Sequence, residues 1–273
     1  MAKVGPATTP PKIAMTLIAR RHTALDWFRR EVWRSPKKWL LAYAALCARS
    51  HLCPEERRRH EKRDSFRGGT SPSPHVVRAG YEQIGERYAV HTAKSRTDET
   101  YYRRFLDRCL ASLPEGGLVL DLGCGAGIVG VEIARRARVV SVDISSTQVR
   151  LARHRVPGGS FVLADMARVE FRPAAFDGIA AFWSLIHVRR DLHADLLRRL
   201  HTWLRPGGLF FGTYGSGDNP DEREQDFFGA PMYWSHFDAE TNRRLLSEAG
   251  FRLLQADVVE DLGESPLWVI AVA

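Results

Sequence analysis

The chain predicts an α/β fold, a doubly wound sheet of seven strands that is mostly parallel with an antiparallel strand at its C-terminal end, and helices on both faces. Three observations lead there. Beyond residue 75, strand-like runs of four to seven residues alternate with helix-like stretches, the pattern of a parallel sheet covered on both sides. The first such run ends in the glycine loop of LVLDLGCGAG, residues 118–127, placed as a strand-to-helix turn would be. The last two runs lie close enough together to pair as a hairpin.

Taken in order, helices are expected over 76–89 and 98–113, the second with Tyr102, Phe105, Leu106, Cys109 and Leu110 near helical spacing. Strands are expected at 118–122, 139–143, 160–163, 178–182 and 209–214, with helices at about 128–136, 146–154 and 192–204 between them. Ser145 or Ser146 suits the N-cap of the helix at 146. A last helix, 239–249, meets Gly250 at its C′ position. The closing hairpin pairs 252–259 with 267–271 across 261–265. The stretch after the fifth strand is expected to be a loop folding over the site.

Charge divides the chain. Residues 1–75 hold 16 Lys and Arg against 6 Asp and Glu, and the rest of the chain holds 24 against 26. The overall charge of +8 therefore belongs to the N-terminal segment. A Gly/Ser/Pro-rich stretch, 64–75, marks the expected boundary between a basic extension, 1–75, and a globular domain, 76–273. Within the extension, 24–33 and 37–49 have helical composition and 55–63 is a charged run. It is expected to be partly helical or disordered and dispensable, or an over-extended translation start; the alternative is a basic arm that contacts a membrane surface or a partner. Four cysteines without a CxxC pair point to a reducing, cytoplasmic setting. The longest early apolar run, WLLAYAALCA at 39–48, is far short of the roughly 20 residues of a membrane span.

The glycine loop narrows the ligand. Its glycines would let backbone N–H groups approach a ligand beside a helix N-terminus, but a dinucleotide fingerprint needs a third glycine where Ile128 stands. No Gly-Lys-Ser/Thr follows, which excludes a P-loop. Asp121, two residues before the first glycine, would repel a pyrophosphate and attract a cation. A nucleoside with a positive head and no phosphate fits, and S-adenosylmethionine (SAM) is such a molecule.

With those residues in view, LVLDLGCGAG resembles the first motif of class I SAM-dependent methyltransferases, which have a Rossmann-like fold. The likeness continues through VVSVDIS, FVLADM, FDGIAAFWSLIHV and LRPGGLFF, and the C-terminal GAPMYWSHFDAE, EAGF and LWVIAVA resemble a bacterial small-molecule branch related to the quinone C-methylases. It covers roughly 78–273. The resemblance implies a SAM site built from Asp121, Gly123, Cys124 and Gly125, from Asp143 on the ribose hydroxyls with Ile144 and Gln148 nearby, from Asp165 on the adenine amine with Met166 against the ring, and from Phe182. Tyr81 and Tyr88, in YEQIGERY, resemble an N-terminal helix that caps the cofactor.

Methyl transfer from a sulfonium needs alignment in a dry pocket rather than a protein nucleophile. For a hydroxyl acceptor a neutral His is a suitable base. His187, after the fourth strand, is the first candidate; its alternative is a residue that hydrogen-bonds a neighbouring loop. His236 is the second candidate, with a structural alternative. His193 and His201 are expected on solvated surface. Trp183, Tyr233 and Trp234, with Phe227 and Phe228, would wall an apolar acceptor pocket or else pack the core. No metal is expected: Asp218-Asn219 falls after strand five rather than strand four, and Cys47, His51, Cys53 and His60 lack a zinc spacing.

The segment after strand four lacks the Pro-Pro-aromatic pattern of base amino-methylases, and no Pro-Cys nucleophile is present. The near-neutral domain offers no phosphate-facing surface, so nucleic acid is disfavoured. The expectation is a methyltransferase of a small, fairly apolar molecule in biosynthetic metabolism, O-methylation before N- or C-methylation, acting as a monomer or homodimer. Two alternatives remain: an RNA methyltransferase with a basic arm, and a SAM-binding protein that no longer transfers.

Overall fold

Five parallel strands and two antiparallel pairings form the sheet that carries the site. The computed structural model describes residues 74–95, 100–261 and 263–273. The chain divides between Thr70 and Ser71, and the described residues all belong to the second unit. The helices expected at 24–33 and 37–49, the charged run 55–63, the Cys47/His51/Cys53/His60 set and nearly all of the 64–75 linker lie outside the described residues.

The elements are α1 (Pro74–Ser95), α2 (Tyr101–Ala111), β1 (Leu118–Leu122), α3 (Ile128–Ile133), β2 (Arg138–Asp143), α4 (Ser146–Arg155), β3 (Ser160–Leu163) and β4 (Phe176–Ala181). They continue with α5 (His193–Trp203), β5 (Leu204–Tyr214), β6 (Asn219–Phe227), β7 (Ala230–His236), α6 (Ala239–Glu248), β8 (Arg252–Val258) and β9 (Leu267–Val272). The seven-stranded sheet runs β3-β2-β1-β4-β5-β9-β8. β1 to β5 pair in parallel, and β9 runs antiparallel between β5 and β8. Strand order reverses between β1 and β4, so the carboxyl ends of these strands open the crevice where ligands of such sheets bind.

Alternation along each strand divides the core. Leu118, Leu120 and Leu122 of β1 pack with Trp203 and Leu200 of α5 on one face, while Val119 packs with Phe105 and Leu106 of α2 on the other. The N-terminus of α4 is capped as expected: Ser145 Oγ accepts from Gln148 N at 3.2 Å. Among the described residues no helix is long and apolar enough to cross a membrane.

Two expectations are corrected. The stretch after β5 is a β-hairpin, β6 with β7, in a two-stranded sheet of its own. Its turn, Phe228-Gly229, has positive φ at both residues (52° and 85°), as a twist-matched two-residue turn requires. A phenylalanine at the first position and the acidic run of β6 hid the strand signal. His193 and His201 are also not on solvated surface. His193 is buried, with Nε2 at 2.9 Å from the Val188 carbonyl, and His201 is half-buried, its ring against Phe251.

Candidate active site

The glycine loop leaves β1 at the reversal point. Gly123 N and Cys124 N both donate to the Val142 carbonyl, at 2.8 and 2.9 Å, and Gly125 N donates to Asp143 Oδ2 at 2.8 Å. These donors are used within the fold, which corrects the expectation that the glycines turn N–H groups toward a ligand. The glycines serve space and conformation instead. A Cβ on Gly123, whose φ is +76°, would lie 2.3 Å from Ser184 Cβ, so the loop can approach the end of β4 only without a side chain.

A cavity enclosing about 1120 Å³ of unfilled space, its mouth included, lies above this loop. Of the residues singled out from the sequence, Tyr81, Tyr88, Gly123, Cys124, Gly125, Asp143, Ile144 and Gln148 line it. So do Asp165, Met166, Phe182, Trp183, His187 and Tyr233.

Asp143 ends β2 buried beneath the loop, with Oδ1 accepting from Ser145 N at 2.9 Å. Burial pushes its carboxyl up to about 6, against the lowering effect of its backbone hydrogen bonds. Gln148, in the first turn of α4, is 1% exposed, and neither its Nε2 nor its Oε1 has a hydrogen-bond partner. A buried amide left unsatisfied inside a fold is costly, and a polar ligand in the cavity would satisfy it. Asp165 follows β3, its Oδ1 accepting from Ala167 N at 2.9 Å. The donor set therefore fits a polar nucleoside: one carboxylate at the end of β2, another after β3, an unsatisfied amide between, and loop N–H groups withdrawn from any phosphate.

The far end of the cavity is aromatic. His187 lies in a short 3-10 turn after β4 (Leu185–His187). Its Nδ1 is 2.8 Å from the Tyr233 carbonyl, which can only accept, so Nδ1 carries the proton and Nε2 accepts from the Tyr81 hydroxyl at 2.9 Å. The Trp234 ring stacks on His187, centroids 4.5 Å apart. Burial pushes the His187 imidazole down to about 4, the bond to Tyr233 acting the other way, so it is neutral at physiological pH. Trp183 lines the same end with a φ of +50°, a conformation rare for a bulky residue that marks local strain. It is held by its N–H to Thr213 Oγ1 and its Nε1 to Glu264 Oε2, both 2.8 Å.

Five of the residues singled out for the site are not at the cavity surface. Asp121 shares a face of β1 with Val119 and is buried under the loop, so close to α3 that a Cβ on Gly130 would lie 3.2 Å from its Oδ2. Trp234 lies behind His187. His236 bonds the Gly217 carbonyl through Nδ1 at 2.8 Å, at the end of the hairpin. Phe227 and Phe228 pack behind Tyr88, centroids 5.7 and 5.6 Å away. Sequence reasoning missed Ser184, whose Oγ bonds the Leu122 carbonyl at 2.7 Å, and Arg189, which lines the cavity and pairs with Asp191 at 2.6 Å. Neither belongs to a local pattern that sequence alone displays. Among the described residues no group of His, Cys, Asp and Glu is arranged to hold a metal.

Comparison with known proteins agrees with this geometry. Residues 119–208 match the family described as a methyltransferase domain. An O-methyltransferase, cnsE, of Penicillium expansum is 29% identical over 213 residues, 72% of this chain and 74% of that protein. Phosphoethanolamine N-methyltransferase 1 of Triticum aestivum is 31% identical over 186 residues, 65% of this chain and 35% of that protein. Among solved structures, the Burkholderia thailandensis 1,6-didemethyltoxoflavin-N1-methyltransferase, with bound 1,6-didemethyltoxoflavin and S-adenosylhomocysteine, superposes with a TM-score of 0.58 at 21% identity. It covers 76% of this chain and 92% of that one. The seven-stranded order, the cavity at its reversal point and these relatives together place the chain among the class I SAM-dependent methyltransferases, with SAM as its cofactor.

Proposed function

We propose that the enzyme methylates a hydroxyl of a small, fairly apolar molecule in biosynthetic metabolism. One observation carries the reading: the Tyr81–His187 hydrogen bond of 2.9 Å at the aromatic end of the cavity. Bound SAM supplies the methyl group. Asp143, Gln148 and Asp165 would hold and orient the cofactor, and Tyr81, Trp183 and Tyr233 would wall the acceptor and exclude water. A neutral His187 with its Nε2 lone pair on the Tyr81 hydroxyl makes the pair a proton acceptor: the acceptor's hydroxyl gives its proton to the Tyr81 oxygen as Tyr81 passes its own to Nε2. Relatives of both kinds, named for O- and for N-methylation, make the atom the point to test.

The experiment is a matched panel of aromatic and alicyclic acceptors bearing a hydroxyl, an amine or an acidic carbon, read by S-adenosylhomocysteine formation. Turnover confined to hydroxyl compounds supports the reading, and turnover confined to amines or carbons overturns it. We further propose that transfer resides in residues 76–273 and that the basic extension is dispensable. Its deletion should leave the rate with a small acceptor unchanged, whereas an RNA-directed enzyme would lose activity with it.

A further inference from the structure

α1 bears a different neighbour on each side. Val77, Tyr81, Tyr88 and Thr92 share one face and line the cavity. Gly80 and Ile84 face the hairpin, where a Cβ on Gly80 would lie 2.7 Å from the Pro231 carbonyl oxygen and Ile84 packs with Ala230 and Met232. The third face, Glu82, Gly85 and Glu86, lies on the first turns of α4. Glu82 Oε1 accepts from Ser146 N at 2.6 Å, and Oε2 accepts from Thr147 N at 3.0 Å, Thr147 Oγ1 at 2.6 Å and Ser146 Oγ at 3.2 Å. Glu86 pairs with Arg150 at 2.8 Å. A Cβ on Gly85 would come within 2.5 Å of Thr147 Cγ2, so glycine permits the approach.

We propose that Glu82 is a positioning residue that locks α1 to the loop carrying the ribose acid and thereby sets how long the cofactor stays bound. Consecutive N–H groups of that loop are divided between two carboxylates: Ser145 N goes to Asp143, and Ser146 N and Thr147 N go to Glu82. Asp143 and Gln148 are thus held from α1 as well as from the sheet. The residue before Glu82 is Tyr81, which reaches His187, so one short segment ties the cofactor end of the cavity to the acceptor end. Desolvation raises the Glu82 carboxyl, but its bonds to Thr147 and Ser146 outweigh this and hold it below the ordinary glutamate value, in keeping with a carboxylate seated on a helix N-terminus. The inference concerns the cofactor alone and does not depend on which atom is methylated.

The test is a double-mutant cycle in the full-length protein with S-adenosylhomocysteine as probe, its release followed by stopped-flow tryptophan fluorescence. Glu82→Gln should release the ligand roughly tenfold faster, as loss of a charge-assisted hydrogen bond predicts. Thr147→Val should release it faster by a smaller factor, and the double variant should match Glu82→Gln, because both act on one contact. Unchanged release in Glu82→Gln, or effects that multiply, would overturn the proposal. Wild-type protein supplies an independent reading: because coupling is reciprocal, S-adenosylhomocysteine should slow amide exchange in 82–88 of α1, and unaltered exchange there would also overturn it.

Discussion

The Tyr81 hydroxyl donates to His187 Nε2 at 2.9 Å across 106 residues of sequence. The bond joins the helix that walls the cavity to the turn after β4. It also settles the imidazole tautomer, because Nδ1 is engaged by the Tyr233 carbonyl. On the proposed reaction, Tyr81→Phe leaves the ring in place and removes only the oxygen. The turnover number should fall about 100-fold, the low end of what a positioned acid or base contributes, with little change in cofactor affinity. Steady-state kinetics with cofactor and acceptor varied separately would check this. An equal rise in both Michaelis constants at unchanged turnover would assign Tyr81 to binding instead.

Asp143 is the strongest cofactor candidate. Asp143→Ala should weaken S-adenosylhomocysteine binding by about 100-fold, taking about 3 kcal/mol for charge-assisted hydrogen bonds to two ribose hydroxyls. Calorimetric titration measures the loss, and a thermal melt of the ligand-free variant shows whether the domain remains folded.

The same residue predicts a pH dependence. Its carboxyl is raised to about 6, so below that pH it carries a proton and has one fewer acceptor for the ribose. Cofactor affinity should be flat above about pH 7 and fall by about tenfold per unit below 6. Titrations from pH 5 to 8 would show the break, and affinity independent of pH across that range would contradict it.

His187 makes a separate prediction for stability. Burial lowers its folded value to about 4 from 6.5, so between those values the unfolded chain binds a proton that the folded chain does not. Its contribution to stability is full above pH 6.5 and is lost as the pH falls toward 4. Urea denaturation at stepped pH should show that slope, and His187→Gln should flatten it.

Gly123 tests the loop. With φ at +76° and Ser184 Cβ only 2.3 Å from where a Cβ would stand, Gly123→Ala should cost about 2–4 kcal/mol, combining backbone strain with displacement of the β4 end. Chemical denaturation measures the loss. Full stability would mean that the loop relaxes away from Ser184.

Much of this protein is legible in its sequence. Strand and helix periodicity and the Ser145 cap depend on neighbours a few residues apart, so the alternating order of the sheet followed from sequence. The missing third glycine and Asp121 pointed to a nucleoside without phosphate, and the family resemblance added Asp143 and Asp165 at successive strand ends. Only the tertiary structure decided what depends on long-range packing. β1 pairing turns Asp121 under the loop, and Val142 and Asp143 draw the loop N–H groups inward. The same packing buries His193 against Val188 and folds an acidic stretch with a Phe-Gly turn into a hairpin. It also brings Glu82 onto Ser146 and Thr147, and Tyr81 onto His187. No local pattern records the last two contacts, because each forms only when elements far apart in sequence close around one cavity.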